Sequence, residues 1–88
     1  MKTWIFTNST NDNMKKFFGV ECCIMTPARK EDGHRVALIY KPDSDPLKDW
    51  LFYTSTIVSI QKTAYPEKGY VTLEIHTHNS EYYFYKKL

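Results

Sequence analysis

WLFYTSTIVSIQKTAYPEKGYVTLEIHTHNSEYYFYKKL, residues 50–88, decides how this chain folds. It reads as three consecutive strands, Trp50–Lys62, Tyr70–Thr77 and Glu81–Lys87. In the second, Val71, Leu73 and Ile75 alternate with Tyr70, Thr72, Glu74 and His76. A side-chain period of two is the mark of a half-buried strand. The tight turn His78-Asn79-Ser80 joins the second strand to the third. A two-residue turn at Asn79-Ser80 predicts Thr77 opposite Tyr82, Ile75 opposite Phe84, His76 opposite Tyr83 and Glu74 opposite Tyr85. In that register both arms place their apolar groups on one face.

Working outward, Thr63–Gly69 reads as a wide hairpin loop, and a bend near Thr54-Ser55 would let the long fourth strand wrap a corner. Pro42-Asp43-Ser44-Asp45-Pro46 is a loop, because two prolines among Asx residues prevent regular pairing. Leu47–Asp49 fits a single 3₁₀ turn. His34–Lys41 is a third strand, apolar on both faces from Val36 to Tyr40, and Val20–Pro27 is the second. Asp32-Gly33 marks the hairpin between them. Lys2–Thr7 is a first strand. Ser9-x-x-Asp12 resembles a capping box, Met14, Phe17 and Phe18 follow at helical spacing, and Gly19 supplies a stop. A short helix over Thr10–Phe18 is expected, its apolar side covering one end of the sheet.

The expected class is mainly β, with some α+β character. About five or six antiparallel strands would form a small SH3-like or OB-like open barrel or twisted sheet, because a sheet of short strands curls to protect its edges. One short helix near the N-terminus completes it.

The 88 residues make one domain spanning 1–88. A domain this small buries only roughly 60–65% of its unfolded surface. Its core must be rich in large rings, and the chain has seven Tyr, five Phe and two Trp. Little chain is left over for a deep catalytic cleft, so an enzyme is not expected. The net charge of +2 is too small to point to duplex DNA and has the wrong sign for a DNA mimic. Met1-Lys2-Thr3-Trp4 lacks the apolar core of a secretory signal, and no apolar run is long enough to cross a membrane. Cys22 and Cys23 are neighbours, which on a strand point to opposite faces and do not bridge. Reduced thiols and a cytoplasmic setting are expected, with no membrane partner.

Three groups of residues bear on chemistry. Glu74-x-His76-x-His78 places three potential ligands along one strand face, about 6.6–6.8 Å apart. Zinc would need further ligands, which Cys22, Cys23 or His34 could supply. Alternatively His76 stacks on Tyr83 and His78 is a turn residue, and no cofactor is required. An acid–base pair of His34 and His76 has no supporting phosphate loop or carboxylate motif. The second group is Tyr82-Tyr83-Phe84-Tyr85-Lys86-Lys87, with Tyr65 and Tyr70 nearby. Tyr70, Tyr83, Tyr85, Lys86 and Lys87 are the candidate partner-binding residues, since Tyr is enriched at interfaces. Lysines interleaved with rings also suit single-stranded nucleic acid, and Tyr is a common residue on ordinary strand surface. The third group, Asp43, Asp45 and Asp49, lacks the glycine and closing Glu of a calcium loop.

Ser55, Thr56, Val58 and Ile60, followed by Thr77, Asn79, Ser80, Tyr82 and Phe84, resemble the closing hairpin of small phage and mobile-element accessory proteins. The resemblance covers about the last 35 residues and implies an anti-defence, anti-CRISPR-like inhibitor that binds a host protein, such as a CRISPR effector, and blocks it. It assigns no functional residues. The leading expectation is therefore a non-enzymatic, host-cytoplasmic binding protein. The alternatives are a single-stranded nucleic-acid-binding barrel and a small zinc metalloprotein.

Overall fold

The computed structural model describes residues 3–88. It is mainly β: seven strands form one open antiparallel sheet. They are β1 (Trp4–Ser9), β2 (Glu21–Met25), β3 (Leu38–Tyr40), β4 (Trp50–Tyr53), β5 (Ile57–Tyr65), β6 (Tyr70–Thr77) and β7 (Glu81–Lys87). Their spatial order is β4-β3-β2-β1-β7-β6-β5. The strand count exceeds five to six because the long strand expected over Trp50–Lys62 is two strands, which lie at opposite edges of the sheet.

The break between β4 and β5 has a polar cause. Thr54 is buried, its Oγ1 accepts from Ala37 N (3.0 Å) and donates to Ser55 O (2.8 Å). That hydroxyl takes over bonds a straight strand would make through its backbone. The crossing chain is then pinned on both sides. Ile57 N donates to Arg35 O (2.8 Å), and Thr56 O accepts from His78 N (3.1 Å).

The hairpin β6–β7 has the expected strand bounds but a different register. His76 lies opposite Glu81, Ile75 opposite Tyr82, Glu74 opposite Tyr83 and Leu73 opposite Phe84. The turn centres on His78-Asn79 because Thr77 closes it. Thr77 N and Oγ1 both donate to Ser80 O (2.9 Å each), and Thr77 Oγ1 accepts from Ser80 N (3.1 Å). The pairing therefore slides by two residues, which leaves every side chain on its predicted face. Leu73, Ile75, Tyr82 and Phe84 are buried accordingly.

β1 lies between β2 and β7, with a bulge between Phe6 and Asn8. It runs on to Ser9, beyond the expected end, because Asn8 and Ser9 pair with Tyr83 and Tyr82. The proposed start at Lys2 lies outside the described residues. The helix is a 3₁₀ helix over Asp12–Phe17, with Asn11 as its cap. Asn11 Oδ1 accepts from Asn13 N (3.0 Å), while Ser9, the expected cap, remains on β1. Six residues are too few to repay α-helix nucleation, yet Met14, Phe17 and Phe18 still pack against the core. β2 and β3 are shorter than expected: between Met25 and Leu38 only Ala28 and Arg35 bridge. Pro27 has no N–H for the ladder. Gly33, at φ +73°, supplies the left-handed residue of that hairpin.

The core lies inside the curl of the sheet. Phe6 and Phe84 are 1% exposed, and their ring centroids lie 5.0 Å apart. Phe52 on β4 reaches Tyr82 on β7 at 5.8 Å, although three strands separate them in the sheet. Only a strongly curled sheet brings those rings together. β5 is the exception, exposed along most of its nine residues.

Candidate functional site

Strand parity and register place Tyr70, Tyr83, Tyr85 and Lys87 on the outer face of β6 and β7, with Thr72, Glu74, His76 and Glu81. Lys86 is not with them. It follows Tyr85 and so turns to the inner face, where its Nζ sits 4.6 Å from the centre of the Trp4 ring. Lys62 approaches the same ring at 5.9 Å. Trp4, 8% exposed, is covered by this contact rather than offered to a partner.

The three tyrosines are half-buried. Tyr83 donates its hydroxyl proton to Glu81 Oε2. That bond, with desolvation and the charges of Glu81 and Glu74, pushes the phenol up to about 12, so it stays a fixed donor through neutral pH. Tyr70 packs on Tyr65 of β5 at 5.0 Å between ring centres, and Lys68 lies 5.8 Å over Tyr65. The outer face thus continues from β7 across β6 onto β5.

The candidate metal ligands do not meet. His76 lies between two carboxylates, 3.5 Å from Glu74 Oε2 and 3.3 Å from Glu81 Oε1. Its cross-strand neighbour is Glu81, not Tyr83. His78 is exposed in the turn. Cys22 is fully buried opposite Trp4, with β1 and β7 between its strand and β6, and its Sγ donates to Trp4 O (3.5 Å). Burial, with lesser contributions from Cys23 and Glu21, pushes the Cys22 thiol up to about 12. Burial also raises Cys23. Both thiols are therefore protonated near neutrality in the metal-free chain. Among the described residues no group of three or more His, Cys, Asp or Glu is placed to hold a metal ion.

The acidic loop is largely structural. Asp43 takes a left-handed conformation at φ +60°. Asp45 Oδ1 accepts from Leu47 N (2.9 Å), and Asp45 O accepts from Lys48 N and Asp49 N.

Two features were not read from the sequence. One is the edge strand β5, where Val58 (62%), Ile60 (48%) and Tyr65 (38%) are exposed. Edge strands are usually blunted by proline, charge or brevity. β5 has nine residues, no proline and a single charge, Lys62. The signal was present in IVSIQKTAY, whose inward positions after Ile60 carry Lys62 and Ala64 where a buried strand would carry large apolar groups. The other is an exposed ring pair at the opposite edge, Trp50 and Tyr53, 5.2 Å apart.

No family model, curated protein or solved structure matches the chain. Among the described residues no helix is long and apolar enough to cross a membrane.

Proposed function

We propose that this protein is a non-enzymatic binding module that acts by occupying a surface of another protein. The observation that carries this reading is β5: a nine-residue edge strand exposed on most of its length and continuous with the outer-face tyrosines. An open strand edge presents unpaired N–H and C=O groups that suit an extended segment of a partner protein. Val58, Ile60 and Tyr65 supply apolar contact beside it, and Tyr70, Tyr83 and Tyr85 extend the contact as rigid rings that lose little entropy on binding. Lys87 lies at the end of that face.

The scaffold in this proposal is a small open barrel of the SH3-like or OB-like kind. The setting is the one implied by the resemblance of the C-terminal hairpin: a phage or mobile-element inhibitor working in the host cytoplasm, where it binds and blocks a defence protein in anti-CRISPR-like fashion. The test is capture of a defence component whose activity falls when the protein is added. Ile60→Glu and the double variant Tyr83→Ala, Tyr85→Ala, both folded by circular dichroism, should each weaken capture at least about tenfold, or roughly 1.4 kcal/mol. Full affinity in both variants would place the interface elsewhere.

A further inference from the structure

The bend between β4 and β5, the Arg29–Arg35 hairpin and the His78 turn border an open cleft of about 420 Å³ lined by His34, Arg35, Thr56, Ile57, Ile60 and His78. We propose that this cleft binds the phosphate group of a small phosphate ester. Its lining holds a guanidinium, two imidazoles and a hydroxyl, and no carboxylate. The volume is within the roughly 300–1,000 Å³ of small-molecule sites.

The backbone carrying the polar groups is held before any ligand arrives. Ile57 N donates to Arg35 O (2.8 Å) and His78 N to Thr56 O (3.1 Å), so backbone bonds tie the three chain segments together. Arg29 N donates to His34 O (2.8 Å), and His34 N donates to Asp32 Oδ1 (2.9 Å). Arg29 Nη2 donates to Thr56 Oγ1 (2.7 Å), which orients that hydroxyl and leaves its own proton to donate. Arg35 Nη1 donates to Thr26 O (2.7 Å), a neutral acceptor, so the bond positions the guanidinium without cancelling its charge. The nearby carboxylate, Asp32, is engaged by Arg29 at 2.7 Å and lies 3.7 Å from His34 Nδ1.

A phosphate fits this set better than a carboxylate does. Its oxygens are arranged tetrahedrally and accept from donors on several sides, whereas a carboxylate is planar and is matched by one fork. Imidazole keeps at least one N–H donor in either protonation state, so both histidines can contribute near neutrality. Ile57 and Ile60 give the cleft an apolar wall, which suits the organic part of an ester and offers nothing to inorganic phosphate. The cleft shares Ile60 with the partner surface proposed above, so its test variants are placed at Arg35 and His78, which that surface does not include.

The test is an NMR titration of the full chain, labelled with nitrogen-15, by inorganic phosphate, 5′-adenosine monophosphate and adenosine in turn. Phosphate should cause saturable shifts confined to His34, Arg35, Thr56, His78 and their neighbours. The monophosphate should bind at least about tenfold tighter than inorganic phosphate, and adenosine should not saturate. Arg35→Met and His78→Ala should each weaken phosphate binding by about tenfold or more. His78→Ala keeps the backbone bond to Thr56 and changes an exposed turn residue, so its fold is expected to persist if Arg35→Met disturbs the hairpin. Scattered or unsaturable shifts, or wild-type affinity in His78→Ala, would overturn the proposal. Equal affinity for phosphate and the monophosphate, or for adenosine and the monophosphate, would overturn the assignment to a phosphate ester.

Discussion

β6 has a strand on each side, and the two neighbours differ. With β7 it makes a closed pair, in which Val71, Leu73, Ile75, Tyr82 and Phe84 are all buried. With β5 it makes a ladder of similar length whose far partner leaves Val58, Ile60 and Tyr65 in solvent. Backbone pairing is common to both, so pairing does not distinguish them. The difference is what lies under the inner face. β7 has β1, with Phe6 and Trp4, beyond it, and the rings of the 3₁₀ segment pack on that core. Among the described residues β5 has no strand beyond it, and the inward side of its middle and far end carries Lys62 and Ala64. Strand propensity builds a ladder, but only side-chain cover turns a ladder into core.

The sharpest way to break this contrast is truncation on either side of β6. Phe84→Ala should lower stability by about 3–5 kcal/mol, because a fully buried ring is removed and a cavity remains. Ile60→Ala on β5 should cost about 1 kcal/mol or less, as for other half-exposed positions. Urea unfolding of both variants measures the two losses. Similar losses would mean that β5 is as much a part of the core as β7.

Alkaline pH probes the covered region alone. Cys22 is raised from its ordinary 9.0 to about 12, and Tyr83 from 10.0 to about 12. Each folded value lies above the unfolded one, so the stabilisation is complete below pH 9 and is lost as pH climbs toward 12. The urea midpoint should fall across that window. In Cys22→Ala the fall should be shallower, since Cys23 and Tyr83 then remain as the raised groups. An unchanged profile in Cys22→Ala would show that this thiol is not held in its protonated form by burial.

The turn that sets the β6–β7 register gives a smaller effect. Thr77→Val removes the hydroxyl that bonds both Ser80 N and Ser80 O, at a cost of about 1 kcal/mol. Cross-strand NOEs should then show whether the pairing of Ile75 with Tyr82 survives. The smallest effect is expected at the β4–β5 bend, where Ser55 Oγ is buried and, among the described residues, has no hydrogen-bond partner. Ser55→Ala should be neutral or stabilise by up to about 1 kcal/mol, since a desolvated hydroxyl is removed. A clear loss in the urea midpoint would mean that Ser55 has a partner in solution.

How far this could be read from the sequence follows from the same contrast. The alternation in YVTLEIHT and EYYFYKK named the covered face of β6 and β7 residue by residue, because a period of two is a local property. The register slipped by two because a threonine side chain replaced a backbone acceptor in the turn, a substitution that composition does not reveal. The splitting of Trp50–Lys62 was legible only as a bend at Thr54-Ser55. That the two halves lie at opposite edges depends on bonds from Thr54 to Ala37 and from Ile57 to Arg35, which are long-range. The outer-face tyrosines were legible by parity. Lys86 was not, because it was grouped with Lys87 by composition although adjacent strand residues face opposite ways. The cleft was beyond reach, since His34, Thr56 and His78 meet only after three segments of the chain are brought together.

The most direct test of the central claim, that β5 is an open edge beside the covered pair β6–β7, is amide hydrogen exchange in the protein alone. The amides of β6 and β7 should exchange only through global unfolding. Along β5 the amides bonded to β6 should be protected, and those facing the open edge should exchange at rates close to an unfolded chain. That alternation is the predicted result. Uniform, slow exchange along the whole of Ile57–Tyr65 would contradict it, because it would mean that something already covers the edge.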